Sequence, residues 1–169
     1  MPFREGDVYR QGITAGLIGA TAVALWFLIV DTIAGRPFFT PTLLGEALMG
    51  VFDRRGSLPI ERTAALVGIY TLFHYVAFSI AGIIVAAIVF AAQTRPSILG
   101  GFFILFIAFE LGSLGLVALL EQVTTLGNLA WYQVMAGNIV AAIAMGTYFW
   151  RTHPELREEL THALDGAGE

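Results

Sequence analysis

Residues Gly100 to Leu120 read GGFFILFIAFELGSLGLVALL, an apolar run with one carboxylate, Glu110, at its centre. The nearest charges on either side are Arg95 and Glu121. As a helix the run covers ~30 Å, the thickness of a bilayer's hydrocarbon core. Hydrocarbon does not solvate an ionised side chain, so Glu110 calls for a partner on another helix or a wet site beside it. The stretch therefore points to a membrane as solvent and to Glu110 as a marker of the bundle's interior.

Composition agrees. Of 169 residues, 57% are hydrophobic and only 13% are charged, whereas soluble domains carry about a quarter charged residues. The length suits one domain, residues 1–169. A net charge of −4 argues against a nucleic-acid partner. With no cysteine, disulfides, thiolate nucleophiles and cysteine-held metals are excluded. The Glu-x-x-His pattern of helical carboxylate metal sites is absent, so no metal is expected. No nucleophile elbow, zinc-protease motif or phosphate loop is present, and no catalytic residue is assigned. Enzymatic chemistry is not the expectation.

Working outward, three further apolar runs are expected to cross with residues 97–120: residues 12–34, 63–92 and 128–150. The expected fold is all-α, an integral membrane four-helix bundle in up-down-up-down order. The first run is longer than a signal-peptide core and reads as a retained span. Residues 1–11 read as a polar tail and residues 151–169 as a charged one. Pro37 and Pro41 break the chain after the first span. Thr40 then reads as an N-cap with Pro41 in the first turn of a short amphipathic surface helix over about 41–53. Its apolar side is expected to carry Leu44, Leu48, Val51 and Phe52. Asp31, near the end of the first span, is expected to be solvated or paired with Arg36.

Counting from the side holding the first loop, His74, Glu110 and Asn138 each fall about ten or eleven residues deep, ~16 Å at helical rise. Ser113 shares the face of Glu110. These four residues form an expected intramembrane polar cluster. It reads either as hydrogen-bonding glue between spans, at ~0.5–2 kcal/mol per bond, or as a relay, a ligand pocket or a cofactor contact. No cofactor is specified. Axial ligation of a haem or chlorophyll-type pigment by His74 is a minor alternative.

Gly12, Gly16 and Gly19 share one face of the first span, where a backbone can approach closely. That face packs either within the bundle or against another subunit. Trp26, Phe38 and Leu44 outline a possible pocket at the surface helix.

Five arginines fall on the side of the two ends and four on the side of the first loop. Positive charge favours the cytoplasm, so both termini are placed inside a bacterial inner membrane. The leading functional expectation is a non-catalytic accessory subunit of a larger membrane complex, contacting lipid and other subunits or itself. The alternatives are a small oligomeric channel or transporter using a Glu110–His74 relay, and a protein that binds a lipid or small molecule.

Overall fold

The computed structural model describes residues 5–52, 63–92, 98 and 131–154. Among the described residues every regular element is a helix: α1 (Glu5–Ile33), α2 (Phe39–Phe52), α3 (Thr63–Ala92) and α4 (Trp131–Thr152). Two of them, over Gly6–Ile33 and Thr63–Ala92, are long and apolar enough to cross a membrane. The run over 97–120, with Glu110 and Ser113, lies outside the described residues apart from Ile98.

The first helix starts about two turns before the expected residue 12. Nothing in Glu5–Gln11 breaks a helix, and Gln11 is held by a contact to His153 just past α4, so this segment is helix rather than a loose tail. At the other end, Gly35 with φ of +71° closes α1. The amide of Arg36 donates to the Asp31 carbonyl at 2.9 Å, and that of Gly35 to Thr32 at 3.0 Å. This pair of bonds is the Schellman closure, which needs a left-handed residue at the glycine position. The helix is therefore closed at Gly35, two residues before Pro37.

The central helix is α1, which packs against both α3 and α4. It runs antiparallel to α3, for Gly12 meets Ile83, Gly16 meets Phe78 and Ser79, and the Ala20 carbonyl meets His74. It runs antiparallel to α4 as well, for Gln11 meets His153, Gly19 meets Met145, and Trp26 donates to the Gln133 carbonyl at 3.0 Å.

The α1–α3 contact is built on missing side chains. A Cβ on Gly82 would lie 2.6 Å from the Gly16 nitrogen and 2.8 Å from its Cα. A Cβ on Gly16 would lie 2.7 Å from the Ser79 Cα. Backbone meets backbone here, which increases dispersion contact between the helices. A small core beside it joins Ala15, Ala86, Val89, Met145 and Phe149 from the three helices.

The short helix α2 lies against α3. Its buried positions are Thr40, Leu43 and Gly45, with Gly45 tight on the Leu66 backbone. Leu44 and Leu48 are only half-buried, so the packed side is rotated from the expected one. Glycine at 45 is what allows this rotation, because a side chain there would strike Leu66.

Candidate functional site

The site lies where α1 ends and α2 begins. Asp31 is 4% exposed, so it is neither solvated nor paired with Arg36. Its Oδ2 accepts the Thr40 amide at 2.7 Å and its Oδ1 accepts the Thr40 hydroxyl at 2.8 Å. The Arg36 guanidinium instead sits 4.0 Å over the Phe39 ring.

The first turn of α2 then closes its hydrogen-bond account. Its first intrahelical bond runs from the Thr42 amide to the Phe38 carbonyl at 3.1 Å, which makes Phe38 the cap position. The Phe39 amide goes to Arg36 O at 3.1 Å, the Thr40 amide goes to Asp31, and Pro41 has no amide proton. Thr40 is therefore a first-turn residue, and the capping oxygen comes from Asp31, nine positions upstream. A carboxylate in the last turn of α1 opposes that helix's dipole. At the N-terminal end of α2 the same charge is favourable.

Phe38 adopts φ of +67°. That conformation costs a residue with a side chain ~1–2 kcal/mol. It directs the chain from the Gly35 turn into α2 and leaves the Phe38 ring half-exposed.

Between α1, the start of α2 and α3 lies a cavity of about 220 Å³. Its polar lining includes Thr21, Asp31, Tyr70, Thr71, His74 and Tyr75. Apolar groups, among them Phe27, Leu28, Phe38 and Val67, make up the rest. Of its lining residues, Leu25, Leu28 and Phe38 are exposed large apolar groups. Phe38 is thus the one member of the Trp26, Phe38 and Leu44 trio that lines it. Trp26 is directed to α4 through its bond to Gln133, and Leu44 is not in the wall.

His74 is buried at 8% exposure, among the rings of Phe78 at 4.6 Å, Tyr70 at 5.6 Å and Tyr75 at 5.9 Å. Its Nε2 lies 3.1 Å from the Ala20 carbonyl. A carbonyl only accepts, so Nε2 carries the proton. Ligation of a haem or pigment through Nε2 would require breaking this bond.

Asn138 is half-buried and follows Gly137, which packs on Trp26 and Phe27. His74 sits opposite Ala20 on another side of α1. Six residues of α1 separate the two levels, ~9 Å. Among the described residues no hydrogen bond joins Asn138 to His74. Glu110 and Ser113 lie outside the described residues.

Gly12 and Gly16 face α3, and Gly19 faces Met145 of α4 and Phe78 of α3. Within this chain their face is taken up by the chain's own helices.

Sequence reasoning also passed over His153, which sits one residue past α4 and is 4% exposed. It packs on the Phe90 ring at 5.1 Å, and its Nε2 lies 2.7 Å from the Gln11 Oε1. No local signal marks it, since a histidine before Pro154 in a charged segment looks solvated.

Among the described residues no group of three or more His, Cys, Asp or Glu is placed to hold a metal ion. Comparison with known proteins finds no matching family model, no matching curated protein and no matching solved structure.

Proposed function

We propose that this chain is a multi-span membrane protein that binds a small, lipid-soluble molecule in the cavity between α1, α2 and α3. The observation that carries the reading is the cavity itself. It combines aromatic and aliphatic walls with a few convergent polar groups, the usual character of a small-molecule site. The Asp31–Thr40 clamp fixes one end of it, so it is held in shape by charge-assisted hydrogen bonds.

The membrane part of the proposal has its own support. Only 28% of the apolar window in each of α1 and α3 is buried, unlike the core helix of a soluble protein. Leu72, Phe73, Val76, Ile80 and Ile84 of α3 are each at least half exposed. Such a continuous apolar surface suits lipid or another membrane helix. Both α3 and α4 run opposite to α1, so Ala92, where α3 ends, and Trp131, where α4 begins, lie towards opposite ends of the bundle. We propose that the run around Glu110 crosses between them, which gives four spans in up-down-up-down order with α2 at the membrane surface. We further propose that both termini face the cytoplasm of a bacterial inner membrane, a reading supported by the five arginines on the side of the ends against four on the side of the first loop.

The test is co-purification. Protein extracted gently in native lipid is expected to carry a small molecule detectable by native mass spectrometry. Thr71→Trp, which fills the cavity from an exposed wall position, is expected to lose it. Equal ligand content in the two proteins would refute the site.

A second reading is favoured by the α3 stripe. Leu72, Val76, Ile80 and Ile84 recur every four residues on one exposed face, the spacing at which a partner helix packs. On this reading the chain is an accessory subunit of a larger membrane complex. Pull-down after mild extraction tests it, and a lone particle without partners would count against it.

A further inference from the structure

Resting on the ligand-binding reading above, we infer that the cavity takes an uncharged aromatic ring that carries a hydroxyl, a molecule of the phenol or quinol class. The argument is an inventory of donors and acceptors. Thr21 donates its hydroxyl proton to the Leu17 carbonyl at 2.8 Å. It can therefore only accept from Tyr75, whose hydroxyl lies 3.0 Å away. Thr40 gives its hydroxyl and amide protons to Asp31. Three hydroxyl protons in the wall are thus committed inside the protein, while the Tyr70 and Thr71 hydroxyls have no acceptor among the described residues and can donate to an oxygen on the ligand.

Acceptor capacity is left over. With its proton on Nε2, neutral His74 has a lone pair on Nδ1, and no hydrogen bond from the described residues reaches it. The Tyr75 oxygen, having donated, also keeps a lone pair. His74 is buried, and a buried acceptor without a donor is unfavourable, so the complementary ligand brings a donor of its own, and a hydroxyl supplies it while accepting from Tyr70 or Thr71.

Size and shape narrow the class further. An apolar cavity of ~150 Å³ accommodates benzene, so about 220 Å³ holds one ring with short substituents and excludes a tetrapyrrole. The flat walls offered by His74, Tyr70 and Phe38 suit a ring over a branched chain. The Asp31 carboxylate in the wall disfavours an anion.

The experiment uses the full chain in lipid nanodiscs with nitrogen-15 histidine, where three histidines give a readable spectrum. The probes are 3,5-dimethylphenol and its methyl ether, which match in shape and differ in the donor. Occupancy is read from through-space contacts between probe methyls and the rings of Tyr70 and Phe38. Recognition is read from the His74 Nδ1 resonance. Both probes are expected to enter. The phenol should bind at least tenfold tighter and move the Nδ1 resonance, while the ether leaves that resonance in place. In His74→Phe the tenfold preference should vanish while the ether's contacts persist. If phenol and ether bind equally in the natural protein, the inference about ligand class is overturned and the cavity reading stands. If neither probe contacts those rings, the cavity reading itself falls.

Discussion

Asp31 joins two elements through two different groups. Its carbonyl accepts from Arg36 to close α1, and its carboxylate holds Thr40 to open α2. Removing the carboxylate leaves two donors of Thr40 without a partner in a buried place. Asp31→Ala is therefore expected to destabilise the protein by ~1–3 kcal/mol. Asp31→Asn, which keeps one accepting oxygen, should cost less. Unfolding in mixed micelles measures both, and an alanine variant as stable as the parent would remove the clamp from the account. Phe38 offers the opposite test. Relief of its left-handed backbone in Phe38→Gly should raise stability by ~1 kcal/mol while weakening retention of the cavity's ligand. If stability rises and ligand content is unchanged, the strained ring has no part in binding.

At the scale of elements, the glycines divide into two kinds. Gly82 meets the α1 backbone at distances no Cβ tolerates, whereas a Cβ on Gly68 meets nothing within 4 Å. Gly82→Leu is expected to drive α1 from α3 and to cost ~3 kcal/mol or more, at the upper end of overpacking penalties. Gly68→Ala should gain up to ~1 kcal/mol from helix propensity. The comparison needs only thermal unfolding of the two variants in one detergent, and similar values for both would contradict the packing described. Much of this level was legible beforehand. Continuous apolar runs located α1, α3 and α4 to within a few residues at most ends, and Thr40-Pro41 located α2. The exceptions are instructive. The start of α1 was set too late because Gln11 looks like a tail residue until His153 is seen beside it. The face of α2 was misjudged because only the position of Leu66 shows that Gly45 must point inward.

At the scale of the whole molecule, the register of α1 against α3 and α4 puts Asp7 and Arg151 at one end of the bundle and Arg36 at the other. The chain contains no cysteine, so single-cysteine scanning has no background. Asp7→Cys and Arg151→Cys are expected to react with a membrane-impermeant thiol reagent only from the cytoplasmic side, and Arg36→Cys only from the opposite side. Labelling of all three from one side would end the membrane-spanning proposal. Labelling with the sides exchanged would keep the spans and reverse the orientation.

What the sequence determined by itself is the chemistry of the segments. Apolar length, proline breaks and the absence of cysteine depend on composition and order alone, and these dictate helices, their approximate bounds and the reactions that lack their residues. Which polar groups meet was decided only by tertiary structure. Asp31 was expected in solvent or paired with Arg36 but caps a helix nine residues on, and the backbone partner of His74, the Ala20 carbonyl, carries no mark in the sequence. Hydrogen bonds depend on distances of a few tenths of an ångström. Those distances follow from how far one helix slides along another, and here that slide is set by glycine backbones in contact.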